Sequence, residues 1–296
     1  MTLVVGFSAG KDEWSSIELG ATLARSIGTD LLVVTVVPDV WPTPVAGHTD
    51  REFEDWARQQ GEAGVAEAKA MLAEHCPDLA ADARWTPGRS IASTLLEGAE
   101  EVAAKMIVVG SGSTGSYGRV HPGATGDWLL HSSHIPVAVA PHGYGATEHG
   151  RVRRVSCAFR GDERSLLALE RTAAICADIG ASLRLVTFAV RGRTVYTAGV
   201  GVHAEDMVLD RWVSQATAAQ ADAVRSLREY GTAPSEVDSV VASGRSWRAA
   251  IEHLDWDRDE VLVVGSSSAG VIERIFLSSN ASKIVRHSPV PVVVVP

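Results

Sequence analysis

Residues Gly110 to Gly115 read Gly-Ser-Gly-Ser-Thr-Gly, a G-x-G-x-x-G string placed directly after an apolar run. Glycines at this spacing let a backbone approach a phosphate, and in a dinucleotide-binding fold they turn a strand into a helix. That chemistry would make the chain a dehydrogenase. It requires the glycines to follow the first strand, to open a helix at once, and to be followed ~20 residues later by an acidic side chain. The other phosphate chemistry, a P-loop, needs Lys and then Ser or Thr after the last glycine. Ser116 and Tyr117 stand there instead.

The elements that must position this loop are written twice. Ile27–Val37 (IGTDLLVVTVV) matches Ile179–Ala189 (IGASLRLVTFA), and the Gly-Arg-Ser tripeptide at Gly88–Ser90 returns at Gly244–Ser246. Val108–Gly115 (VVGSGSTG) matches Val263–Gly270 (VVGSSSAG), and Ser133–Pro141 (SHIPVAVAP) matches Ser288–Pro296 (SPVPVVVVP), in the same order. Self-similarity of this kind implies a tandem duplication of a domain of roughly 145 residues. The Gly-rich, polar stretch Pro141–Gly150 reads as the linker. The expected domains are 1–145 and 146–296.

In the first half, strands are expected at Leu3–Phe7, Leu31–Val37, Ala83–Thr86, Met106–Gly110 and Pro136–Ala140. Helical periodicity covers about Asp12–Ile27, with Trp14, Ile17, Ala21 and Ala24 on one face, then Asp50–Cys76, Arg89–Lys105 and Thr125–Ser133. Near-continuous apolar strands separated by helices specify a parallel sheet covered on both faces. Each half is then a doubly wound α/β domain of about five strands. The glycine loop follows the fourth strand, not the first, and runs into Ser116–Pro122 rather than a helix, so the dehydrogenase reading fails on context.

Composition narrows the field. The chain has 296 residues, a net charge of -9, 46% hydrophobic and 21% charged residues. This is ordinary globular composition, and an acidic chain argues against general nucleic-acid or anionic-membrane binding. No apolar run reaches the ~20 residues of a bilayer span, and Met1–Phe7 reads as a first strand rather than a secretion signal. Three cysteines without motif spacing, Cys76, Cys157 and Cys176, fit a reducing cytoplasm and read as small buried hydrophobes.

The remaining reading of the loop is a ligand cradle at the carboxyl edge of a parallel sheet. Free N–H groups at the helix start near Gly123-Ala124-Thr125 favour an anion. Ser111, Ser113 and Thr125 could add hydroxyl contacts and Arg119 a charge-assisted one. A flexible connection that uses small residues to pack helix on sheet is the other possibility, and local sequence leaves both open.

The doubled pattern resembles the universal stress protein family in its tandem two-domain form, over essentially the whole chain. The family's nucleotide loop reads Gly, two residues, Gly, nine residues, Gly, then Ser or Thr. Here Gly110 and Gly123 match, Ser113 stands at the second glycine, and Ala124 replaces the closing hydroxyl, with Thr125 next. The second copy reads Gly265, Ser268, Ser278, Ser279. The family's Asp at the end of the first strand is Ser8 here and Arg160 in the second half; its adenine-side position falls on Val36 and Phe188. Loss of a charged ribose contact costs about 1.5–3 kcal/mol, ten- to a hundredfold in affinity.

The resemblance implies two Rossmann-like (adenine nucleotide alpha hydrolase-like) domains that pair through their last strands into an intrachain pseudo-dimer. It implies a cytoplasmic stress-response regulator that binds ATP or a related adenine nucleotide without catalysis. The binding residues would be Ser8, Val36, Gly110, Ser113, Gly123, Ala124 and Thr125, with a weaker second site at Phe188, Gly265, Ser268, Ser278 and Ser279. A nucleotide-free scaffold with degenerate sites is the alternative, and two chains could associate into a homodimer.

Other candidates are bland. His131 and His134 are three apart and could share a helix face, but no Cys or acidic partner stands at a recognised metal spacing, and His134 precedes Ile135-Pro136, past the expected helix end. Glu97, Glu100 and Glu101 read as a wet helix face, and no G-x-S-x-G elbow stands in a hydrolase context. Trp41–Trp56 reads as a long insertion, either a lid, a partner surface or a plain loop. The other tryptophans are expected in core and helix packing. Pro136–Ala140 and Pro289–Val295 are apolar terminal strands that would be aggregation hazards as free edges, so antiparallel pairing with each other is expected.

Overall fold

A computed structural model describes residues 2–10, 14–39, 48–145, 149–190, 199–266 and 277–296, with 48–50 and 199–206 described by backbone alone. The first half runs β1 (Thr2–Phe7), α1 (Ser15–Ile27), β2 (Asp30–Pro38), α2 (His48–His75), β3 (Ala81–Gly88), α3 (Ile91–Glu101), β4 (Met106–Val109), α4 (Gly123–Ser132) and β5 (Val137–Val139). The second repeats this order as β6 (Arg154–Ala158), α5 (Glu163–Ile179), β7 (Ser182–Val190), α6 (Gly199–Glu229), β8 (Val237–Gly244), α7 (Trp247–Glu252), β9 (Glu260–Gly265), α8 (Ser279–His287) and β10 (Val292–Val295). None of the described helices is long and apolar enough to cross a membrane.

All ten strands form one sheet, ordered β3-β2-β1-β4-β5-β10-β9-β6-β7-β8. Pairing is parallel within each half, and β5 meets β10 antiparallel through Val139↔Val292, Ala138↔Val293 and Val137↔Val294. This is the expected seam. It is short because Pro136, Pro141, Pro291 and Pro296 flank the two strands and cannot donate to a ladder.

Alternation along the strands builds two cores that run through both halves. Leu3, Val5, Ala138 and Val293 enter the core under α1, α2, α5 and α6. Val4, Val137, Val139, Val292 and Val294 enter the opposite core under α3, α4, α7 and α8. The period-2 side-chain geometry of a strand places neighbours on opposite faces, so a sheet buried on both sides reads as an unbroken apolar run.

Two expectations change. Trp14 does not join the buried face of Ile17, Ala21 and Ala24; it precedes α1, is 43% exposed, and packs its ring 5.6 Å from that of His75. Trp56, Trp128 and Trp212 are exposed too, whereas Trp247 and Trp256 are partly buried and pack against the core under α3, α4, α7 and α8. Trp41 lies outside the described residues, and the stretch from His48 through Trp56 opens α2 rather than continuing a loop.

The second half holds a buried polar network with no counterpart among the described residues of the first. The Glu260 side chain is fully buried and accepts hydrogen bonds from Arg154 Nη2 (2.7 Å), Arg184 Nη2 (2.6 Å), Ser156 Oγ (2.5 Å) and the Asp257 N–H (3.0 Å). Arg184 also donates to Asp255 O at 2.9 Å and lies 5.1 Å from the Trp256 ring centre. Removing one partner of such a cluster leaves an uncompensated buried charge. Glu260→Ala therefore destabilises the protein by about 3–5 kcal/mol, read as a lower urea midpoint, and Arg184→Met in that background restores part of the loss.

A surface pair makes a pH prediction. The Arg25 guanidinium donates to both Asp78 oxygens at 2.8 Å and holds that carboxyl down at about 2 from the ordinary 3.8. A depressed acid stabilises the fold above its unfolded pKa, and the contribution is lost as pH falls from 3.8 toward 2. Asp78→Asn flattens the pH dependence of the urea midpoint within that window.

Candidate functional site

The strand order reverses direction of growth at β1 and β4, so the loops after these strands diverge and open a crevice at their carboxyl ends. All seven residues expected for the first site line one cavity there, of about 380 Å³. Ser8 stands just past β1, Val36 near the end of β2, and Gly110 and Ser113 after β4; Gly123, Ala124 and Thr125 form the first turn of α4. Sequence reasoning missed the apolar wall made by Val34, Ile91 and Leu95. The repeated Gly-Arg-Ser tripeptide was the available signal, since Ile91 follows it directly.

The loop from Gly110 to Pro122 is braced from behind. Gly112 N–H donates to His121 O at 2.7 Å, and Ser111 Oγ accepts from His121 N–H at 2.9 Å while donating to Ala140 O at 2.6 Å. Ser111 lines the cavity, but its hydroxyl is committed to the loop. Arg119 is not at the cavity at all. It donates to His287 O and Glu252 Oε1 of the second half, each at 2.6 Å, because the antiparallel seam brings α7 and α8 beside this loop.

The cavity floor depends on two glycines. Gly123 has φ +63°, and a Cβ on it would lie 3.2 Å from Gly112 Cα; a Cβ on Gly112 would lie 3.1 Å from Gly123 Cα. The backbones therefore touch where side chains would part them. No side chain caps α4, since Pro122 stands at its N-cap. Uncapped N–H groups and the helix dipole make this turn an anion site worth about 0.3–1 kcal/mol in the open, and up to ~2 when partly buried. None of the described lining residues carries a charge.

The second half has the corresponding cavity, also about 380 Å³. Phe188, Gly265 and Ser278 line it; Ser279 is exposed and does not, its place on the wall going to Asn280. Ser268 lies outside the described residues. The helix start differs from that of α4: Ser278 caps α8, its Oγ accepting from Ala281 N–H at 3.2 Å. Arg160, expected either at a phosphate or in solvent, lines this cavity and pairs with Asp162. Burial pushes the Asp162 carboxyl up, but hydrogen bonds from Ser165 and the charge of Arg160 outweigh it and hold the group below its ordinary value.

The histidine pair separates. His134 lies beyond the end of α4, with Nε2 3.4 Å from Glu100 Oε1, so it does not share a helix face with His131. Among the described residues no group of three or more His, Cys, Asp or Glu side chains is arranged to hold a metal. Cys76, Cys157 and Cys176 are buried free thiols, and burial pushes Cys157 up to about 12.

The universal stress protein family model matches residues 1–141 and again 151–296. Universal stress proteins of Mycobacterium tuberculosis and Mycobacterium bovis are each 38% identical to the chain over 296 residues, covering all of both sequences. Among solved structures, a universal stress protein from Archaeoglobus fulgidus aligns over 99% of this chain and 97% of its own, with a TM-score of 0.64 at 18% identity.

Gly123→Ala combines a left-handed backbone with a blocked approach to Gly112. It costs about 1–3 kcal/mol, whereas Gly118→Ala, with φ +72° but nothing within 4 Å of the added Cβ, costs about 1. Urea midpoints of the two variants check the difference.

Proposed function

Because the chain belongs to the universal stress protein family, we propose that its first half binds ATP or a related adenine nucleotide and that it acts as a cytoplasmic, non-catalytic stress regulator. The observation that carries this reading is the uncapped α4 N-terminus set against the Gly112–Gly123 contact, within one cavity bounded by an apolar wall. Val34, Val36, Ile91 and Leu95 offer surface to an adenine ring, and Ser8 faces the ribose side. Gly110, Ser113, Gly123, Ala124 and Thr125 surround the phosphates. Backbone N–H groups and hydroxyls, not fixed cations, would meet the charge.

A ligand held this way orders the loop from Gly110 to Pro122, which also rests on the second half through Arg119 and through Val120 N–H donating to Ser288 O at 3.1 Å. Occupancy would bias how that surface meets a partner, by as much as the ligand's differential affinity for the two arrangements. The lack of an acidic residue at Ser8 favours a second reading, a nucleotide-free scaffold with the same fold.

Calorimetric titration of the full chain with ATP separates the two. The nucleotide reading expects a Kd below about 1 mM and its loss in Gly123→Val, with the variant's circular dichroism unchanged. A Kd weaker than that in the natural chain leaves the scaffold.

A further inference from the structure

The two cavities occupy the same place in the duplicated fold but are walled by different chemistry. Just past β1 stands Ser8, and just past β6 stands Arg160. Near the ends of β2 and β7 stand Val36 and Phe188. The first residues of α3 and α7, each after a capping Ser, are Ile91 and Trp247. Three small or aliphatic groups are thus exchanged for a cation and two aromatic rings, all three lining the second cavity.

The two rings meet each other at the cavity wall. Phe188 and Trp247 lie 6.1 Å apart between centroids and are tilted by 48°, within the range of favourable aromatic contact. Trp212, from α6, adds a ring at the wall that is 44% exposed. A flat aromatic ligand gains both apolar burial and ring–ring contact here. Among the described lining residues, polar recognition is cationic: Arg160 and Arg164 line the cavity with one acid, Asp162. Arg160 meets Asp162 through Nη2, which orients the guanidinium and leaves its other donors for an incoming anion.

The anion is compact. At the α8 start the Ser278 hydroxyl already occupies the Ala281 N–H, and the close glycine pair of the first half has no counterpart, since Gly123 corresponds to Ser278. Among the described residues, the second cavity thus has neither the uncapped helix start nor the glycine at that position that suit a phosphate chain in the first. We propose that the second cavity binds a planar aromatic carboxylate, its ring against Phe188, Trp247 and Trp212 and its carboxylate on Arg160. A volume of about 380 Å³ suits a ligand of that size.

Calorimetric titration of the full chain with 2-naphthoate tests the assignment. A one-to-one complex with a Kd below about 1 mM is expected. Trp247→Ile, which installs the first half's residue, and Arg160→Gln each weaken it about tenfold or more, and the neutral 2-naphthamide binds about tenfold more weakly than the acid. Saturating ATP leaves 2-naphthoate affinity unchanged. No measurable 2-naphthoate binding, an unchanged Kd in Trp247→Ile with unchanged circular dichroism, or one-for-one displacement by ATP overturns the proposal. ATP binding at the first cavity is read independently through Gly123→Val, so either assignment can fail while the other stands.

Discussion

Three residue pairs between β5 and β10 hold the two halves in one sheet. The bonds are few, but the pairing removes two apolar edges at once, and those edges would otherwise recruit other chains. It also merges what would be two small cores on each face into one, so that Ala138 and Val293 share a cluster with residues of α1 and α5. Contacts beside the sheet follow from it: Arg119 reaches Glu252 and His287, Arg286 lies 3.1 Å from Asp127, and Val152 N–H donates to Ser26 Oγ at 2.8 Å.

The seam sets what the glycine loop can be. In an isolated first half, Arg119 would be the one loop cation available to an anion. In the pair it is drawn to the second half, and Ser111 is used to pin His121 and Ala140. The cradle is therefore held from the outside, while its inner surface keeps backbone N–H groups and small side chains. Bracing from behind limits what a ligand must still order to the inner surface of the loop, which lowers the cost of binding without removing it.

Duplication preserved the backbone and let the side chains diverge in two places. Below the sheet, Glu260, Arg184 and Ser156 of the second half form a buried network where the first half has Lys105, Leu32 and Val4. Such a cluster adds little net stability over apolar packing, but each member is costly to remove alone. At the carboxyl ends of the strands, the second cavity gains rings and cations and its helix start is closed by Ser278. A shared fold thus carries two different binding surfaces, and function has to be read from each site rather than from the architecture.

Much of this was legible in the chain itself. Period-2 and period-3.6 patterns are local properties, so the strands, most helices and the duplication could be read to within a few residues, and the apolar last strands announced their own pairing. The first-site residues came from the family resemblance, with Gly110, Ser113, Gly123 and Ala124 aligned to its loop pattern and Ser8 and Val36 to its strand ends. What the sequence could not supply was direction and proximity. Trp14 and Trp247 are equally aromatic, yet one packs on His75 at the surface and the other lines a cavity. Arg119 and Glu252 are far apart in the chain and meet only because the seam is antiparallel. Contacts between distant residues depend on how layers stack and strands register, and those are settled by packing the whole molecule rather than by any local string of residues.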